Sequence, residues 1–337
     1  MTPYRYRNRV VFCIVVFIVL CSLCGGEIIS RAYMKINPAS PEAYMARLLT
    51  TDHGRKPGDP HDGLLGWRNV LPQRGHSAPP AIVCFGDSFT WGDEVASGED
   101  WPAILGRKMG FVTLNMGVCG YGMDQITLAT LKYLRKHPAP DLVIVAIIAD
   151  DVARCETTRR RPDLSKPHYT FDNDRMRLHI PHRSLAIEAS GRVLSWLGGR
   201  SAMAAIVRSR TSVAKKQPRS GASGERIAER LLDKLGTVGS PIMFVFLPTP
   251  RVTSNDRDLS ARLCARANSA GMHAVNLVPE WDLFIEDKPN ARNDYFKVCH
   301  MNVSGNEWVA SMLSLAVLPF LGSGGPSAHG RSVDNNK

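Results

Sequence analysis

From residue 81 onward, short apolar runs alternate with amphipathic stretches, and that alternation leaves the chain few architectures to adopt. The runs cover residues 81–85, 111–115, 141–148, 242–247 and 273–277. From Leu142 to Ile148 the third run carries no polar residue at all, as expected of a strand covered on both faces. Between and after the runs, residues 100–110, 124–136, 224–235, 256–270 and 304–318 show helical spacing of apolar positions. Ile126, Leu128, Leu131 and Leu134 carry it in the second of these, and Pro102 falls in the first turn of the first. Strands and helices in this order predict a doubly wound α/β domain with a mostly parallel sheet. A chain of 337 residues has room for one such domain plus additions.

Additions are visible before the domain, after it and within it. Residues 10–24 are uncharged and follow Arg5, Arg7 and Arg9, the pattern of an export signal or of a signal-anchor whose N-terminus stays in the cytosol. An uncleaved single-pass anchor is the first expectation and secretion after cleavage near Cys24 the second. Both put the remaining chain on the extracytoplasmic side. The expected organisation is therefore residues 1–26 as stub and transmembrane segment, 27–80 as linker and packing segment, 81–321 as the domain, and 322–337 as a disordered tail. The addition within the domain interrupts it at 152–223, where Tyr169-Thr-Phe171, Asp172-Asn-Asp174 and Arg175-Met-Arg-Leu178 predict a hairpin. A helical stretch from about 184 to 208 and a Ser/Gly/Lys loop follow it.

The formal net charge of +11 is concentrated in that interruption: residues 152–220 hold fifteen Lys or Arg against five Asp or Glu, +10 by difference. Such a stretch suits an anionic membrane surface or an acidic polysaccharide, and an exported chain has little use for nucleic acid. His168, His179 and His182 lie in it and read as surface residues. Of the eight cysteines, Cys13, Cys21 and Cys24 belong to the apolar segment, and Cys84 and Cys264 read as small hydrophobes. No metal-type spacing occurs outside the membrane segment, so neither metal nor organic cofactor is expected. Cys119 and Cys299 flank candidate site residues, and a disulfide between them is conceivable in an oxidising compartment.

Four short blocks follow strand ends: Gly86-Asp87-Ser88, Asn115 to Gly122, Ala149-Asp150-Asp151-Val152, and His300-Met-Asn302-Val-Ser-Gly305. In a doubly wound sheet these loops emerge on one edge, where such proteins bind ligands. Ser88, Gly120, Asp150 and His300 are thereby brought together. A serine nucleophile requires a base for its proton and fixed donors for the developing oxyanion, and the backbone N–H groups of Ser88 and Gly120 suit the latter. Asp87 is expected to cap or brace the turn and Asn302 to anchor its loop.

In block order and wording the chain resembles the SGNH/GDSL hydrolase superfamily, and within it the membrane-anchored extracytoplasmic members. Gly86-Asp87-Ser88 corresponds to the first block, Gly120 to the oxyanion glycine of the second, and His300 to the general base of the last. Trp101-Pro102, Tyr121-Gly122-Met-Asp-Gln125 and His300-Met-Asn302 are similar as well. The resemblance implies a three-layer α/β/α sandwich with about five parallel strands, the flavodoxin-like SGNH fold. It further implies a serine esterase or acyltransferase acting on an acyl ester, with O-acetylated envelope polysaccharide as the expected substrate. Two departures stand out. Asp150 occupies the place of an asparagine donor, and an ionised carboxylate only accepts hydrogen bonds, so Asp150 would serve only if burial beside Asp151 kept it protonated. Lys297 occupies the place of the orienting aspartate, leaving Asp294 as the nearby substitute, or a Ser88–His300 dyad oriented by a backbone carbonyl. A non-catalytic member that binds glycan or assists polysaccharide O-acetylation is the competing expectation.

Overall fold

A computed structural model describes residues 81–161, 164–180, 222–288 and 290–321, together with a few isolated positions before residue 81. Backbone contacts divide the chain into two units, Met1–His53 with Arg183–Gln217, and Gly54–His182 with Pro218–Lys337. In the first unit the described positions, Cys24, Gly25 and Gly26 among them, are helical. No helix among the described residues is long and apolar enough to cross a membrane, and the run 10–24 lies outside them apart from Ser22 and Cys24. The expected linker, the helical stretch from 184, the loop after it and the tail also fall outside the described residues, save scattered positions of the linker.

The second unit contains the sheet. Its strands are β1 (Ile82–Phe85), β2 (Thr113–Asn115), β3 (Leu142–Ile147), β6 (Ile242–Phe246) and β7 (His273–Asn276), in spatial order β7-β6-β3-β1-β2 and parallel at every pairing. β4 (His168–Asp172) and β5 (Arg175–His179) form a separate antiparallel hairpin. Asp172 pairs with Arg175, and the two residues between them, Asn173 (φ 44°) and Asp174 (φ 66°), are both left-handed. Right-twisted hairpins require that conformation of a two-residue turn, and Asn and Asp tolerate it best among side-chain-bearing residues.

Helices cover both faces of the sheet: α1 (Ser88–Trp91), α2 (Trp101–Met109), α3 (Met123–Lys136), α4 (Ala149–Arg154), α5 (Ala222–Gly236), α6 (Ser254–Ser269), α7 (Leu277–Ile285), α8 (Ala291–Tyr295) and α9 (Val303–Ala316). Side chains alternate across the strands, and this alternation splits the core into two clusters. Val83, Phe85, Val143, Val145, Phe244 and Phe246 pack with α3, α5 and α6 on one side. Ile82, Cys84, Ile144, Ala146, Met243 and Val245 pack with α2, α7 and α9 on the other. The three layers follow directly, as does the unbroken apolar run in β3, which is buried along its whole length. Phe171, Met176 and Leu178 place the hairpin against the first cluster. Lys166, just before it, is 1% exposed and forms an ion pair with the fully buried Asp124 near the start of α3. Desolvation raises the Asp124 carboxyl above the usual range, and Lys166 pulls it back down. Lys166 belongs to the basic interruption read above as suited to an anionic surface. The buried carboxylate of Asp124 explains its position instead.

Candidate active site

Strand β1 ends against its neighbour so closely that only glycine fits next. A Cβ on Gly86 would lie 2.0 Å from Thr90 Oγ1 and 2.7 Å from the Ala146 carbonyl. The chain then turns into α1, whose N-cap is Asp87: its Oδ1 accepts from the Phe89 N–H at 2.9 Å. Ser88 therefore opens the helix and does not cap it. The second block is bonded onto the first, with Met116 N donating to Cys84 O (2.7 Å) and Val118 N to Gly86 O (3.0 Å). Asn115 braces the junction, since its Nδ2 donates to Thr90 O at 2.7 Å while its Oδ1 accepts from Gly117 N at 2.9 Å. Gly120 lies in this turn at φ 74°, a left-handed position suited to glycine.

His300 arrives from the other end of the chain. After α8 the backbone makes an isolated bridge, Phe296 with Met301, and Lys297 N donates to His300 O at 2.9 Å. Asn302 fixes the exit: it caps α9 by accepting from Gly305 N at 3.0 Å, and its Nδ2 donates to the Asp294 carbonyl at 2.8 Å. The imidazole packs beside Phe89, ring centroids 5.1 Å apart, and its Nε2 lies 2.8 Å from Ser88 Oγ. Ser88 and His300 are both buried. The Ser88 hydroxyl also lies 3.3 Å from Asp87 Oδ2.

Two carboxylates flank the far side of the ring. Asp93 Oδ2 is 3.7 Å and Glu94 Oε2 3.8 Å from His300 Nδ1, and the same Glu94 oxygen accepts from the His300 backbone N–H at 3.2 Å. Both lie on the turn that leaves α1. Gly92 (φ 82°) caps that helix in the left-handed region, and Gly92 N and Asp93 N each donate to Ser88 O at 3.1 Å. Glu94 is itself left-handed at φ 72°, which costs a non-glycine residue on the order of 1 kcal/mol. Lys297 Nζ donates to the Glu94 carbonyl. Asp294, the carboxylate singled out by sequence proximity, is exposed on α8. The chain reverses between α8 and His300, and the acids beside Nδ1 come from the serine's own loop.

Behind the serine sits a second charged group that sequence spacing did not indicate. Arg154, at the end of α4, forms ion pairs with the buried Asp87 (3.2 Å) and Asp151, and donates to the Tyr121 carbonyl at 3.1 Å. It thus ties the first, second and third blocks together. Burial and the neighbouring Asp87 push the Asp151 carboxyl well above the ordinary carboxylate range, with Arg154 opposing them. Burial alone would lower the guanidinium, but Asp151, Asp87 and Asp150 outweigh it and keep Arg154 charged. Asp150 is not buried: its side chain is 63% exposed, 4.0 Å from Arg154. The burial that would have kept Asp150 protonated falls on Asp151, because Asp151 reaches back to accept the Ile148 N–H at 3.0 Å. No disulfide joins Cys119 to Cys299, contrary to the one that was conceivable. Partial burial and then Glu94 raise the Cys299 thiol, which makes it a poor nucleophile beside the serine. No cluster of three or more His, Cys, Asp or Glu suited to a metal ion occurs among the described residues.

Residues 84–308 match the GDSL-like Lipase/Acylhydrolase family. Among solved structures, the chain is similar to a member of the lipolytic protein G-D-S-L family from Veillonella parvula DSM 2008, at 13% identity over 71% of this chain and 97% of that one, TM-score 0.40. The SGNH-hydrolase family esterase AlinE4 is similar at 19% identity over 73% and 99%, TM-score 0.35. The acetyl xylan esterase AlAXEase is similar at 13% identity over 70% and 99%, TM-score 0.43. No curated protein sequence matches.

Proposed function

Because the chain belongs to the GDSL-like lipase/acylhydrolase family, we propose that it is a serine ester hydrolase with Ser88 as nucleophile and His300 as general base. The observation that carries this reading is the 2.8 Å contact between Ser88 Oγ and His300 Nε2. In the forward step Nε2 takes the hydroxyl proton as Oγ attacks the acyl carbon, and the imidazolium then returns that proton to the departing alcohol. Water repeats the sequence on the acyl-enzyme and frees Ser88. The N–H groups of Ser88 and Gly120 are assigned to the oxyanion. Asp150 brings an exposed anion where a third donor would stand, which predicts slow turnover.

The substrate assigned is an acyl ester of the cell envelope, O-acetylated polysaccharide in particular. The uncharged run 10–24 behind Arg5, Arg7 and Arg9 supports it, by anchoring the domain on the extracytoplasmic side or exporting it outright. A fluorophosphonate probe tests the nucleophile. Wild type labels and hydrolyses p-nitrophenyl acetate, and Ser88→Ala does neither. Folded wild type that resists the probe leaves a glycan-binding or assembly role.

A further inference from the structure

An imidazole that shuttles a proton through Nε2 needs its Nδ1 side held and its transient positive charge balanced. Resting on the serine hydrolase reading above, we propose that Asp93 and Glu94, on the turn that leaves the nucleophile helix, are the positioning acids of His300. They keep the proton on Nδ1 and stabilise the imidazolium formed when Ser88 Oγ gives its proton to Nε2. Only that one proton moves in the step, from Ser88 Oγ to Nε2.

Five features of the turn support this. The two carboxylates approach Nδ1 to 3.7 and 3.8 Å. Their side chains are only 10% and 14% exposed, so bulk water does little to screen them from the ring. The turn takes its position from the nucleophile itself, since Gly92 N and Asp93 N both donate to the Ser88 carbonyl. Its other side is fastened to the histidine loop, where Glu94 Oε2 receives the His300 N–H and the Glu94 carbonyl receives Lys297 Nζ. A left-handed glutamate is an unfavourable backbone choice, and such choices persist where the surroundings hold a functional side chain in place. Lys297 fits the same scheme. A cation three residues before the histidine cannot orient it, but this one secures the turn that carries the acids. Serine and acids thereby travel on one loop, and only the histidine comes from afar.

The test uses the full chain and p-nitrophenyl acetate, comparing Asp93→Asn/Glu94→Gln with wild type and Ser88→Ala. The amides keep the shape and remove the charge. The double variant is expected to lose about 10²- to 10⁴-fold in kcat with KM moved less than about threefold. Adding Lys297→Asp to it is expected to recover about tenfold or more by supplying a new acid near the ring, which no purely structural defect would allow. A folded double variant with kcat within about fivefold of wild type overturns the proposal and leaves orientation to a backbone carbonyl. A fall in kcat matched by an equal rise in KM, with no recovery on Lys297→Asp, marks a collapsed loop and overturns it too. If the double variant does not fold, the nearly isosteric single variants decide: at least one loses about tenfold in kcat, or the proposal fails. Activity surviving in Ser88→Ala would instead sink the parent reading, whatever the acids do.

Discussion

Removing the Arg154 guanidinium should cost more stability than almost any other single change near the site. Two carboxylates, Asp87 and Asp151, are buried to within 1% of complete and share this one cation. In Arg154→Ala both remain in the interior, facing each other, and breaking a buried pair from one side costs about 3–5 kcal/mol. For a domain of this size each kcal/mol lowers Tm by roughly 2–4 °C, so a drop on the order of 10 °C is expected. The penalty has a pH signature. The Asp151 carboxyl already sits above its ordinary range through burial and Asp87, and losing Arg154 raises it further. A group whose folded pKa is raised contributes its stability below the unfolded value and loses it as pH rises through the folded one. The variant should therefore be weakest relative to wild type in alkaline buffer and recover on acidification. Urea unfolding at about pH 8 and about pH 5 measures both gaps. Activity should fall as well, because the Tyr121 carbonyl beside Gly120 loses its donor. A deficit under about 1 kcal/mol at the higher pH, or one that does not narrow at the lower, refutes the reasoning.

Lys166→Met should destabilise by about 3–5 kcal/mol in urea by stranding Asp124, and adding Asp124→Asn should return most of that loss. Gly86→Ala places a Cβ 2.7 Å from the Ala146 carbonyl, so β1 must part from β3. We expect at least about 2 kcal/mol of lost stability and no fluorophosphonate labelling of Ser88. Asp150→Asn exchanges an exposed anion for an amide at the position proposed for a third oxyanion donor. It should raise kcat on p-nitrophenyl acetate by about tenfold or more, up to the hundredfold worth of one donor, with unfolding unchanged within about 0.5 kcal/mol.

The sheet was legible because each strand is a local apolar run, and the five expected runs match the strands to within two residues at each end. The long helices were legible through their 3.6-residue spacing, and the hairpin through Asn173-Asp174. The four- to six-residue helices α1, α4 and α8 escaped because too few turns exist to show a period. Helix α7 escaped because Asn276 ends β7 and caps the helix at once, leaving no loop to mark the change. At the site, block order pointed to Ser88, Gly120 and His300; Ser88 follows β1 closely, and His300 reaches it from the loop before α9, well past the last strand. The acids beside His300 were not legible, because their approach depends on left-handed backbone at Gly92 and Glu94. Proximity in sequence favoured Asp294, yet a tight reversal between α8 and His300 leaves that carboxylate outside. The Arg154–Asp87 pair joins residues 67 apart, and no spacing rule covers such a distance.

The hydroxyl and the imidazole in the site are 212 residues apart, and the strand that carries one is laid down long before the helix that follows the other. A nascent chain with β1, β2 and β3 in place already has its serine at a sheet edge, but without a base to deprotonate it. Closure of the dyad waits for α9 to dock beside α2, where Asn306 Oδ1 takes the Trp101 N–H at 2.9 Å. Long-range pairings of this kind form late and slowly. On the proposed function, reactivity toward esters is therefore withheld during synthesis, and hydrolytic competence reports that the whole sandwich has assembled.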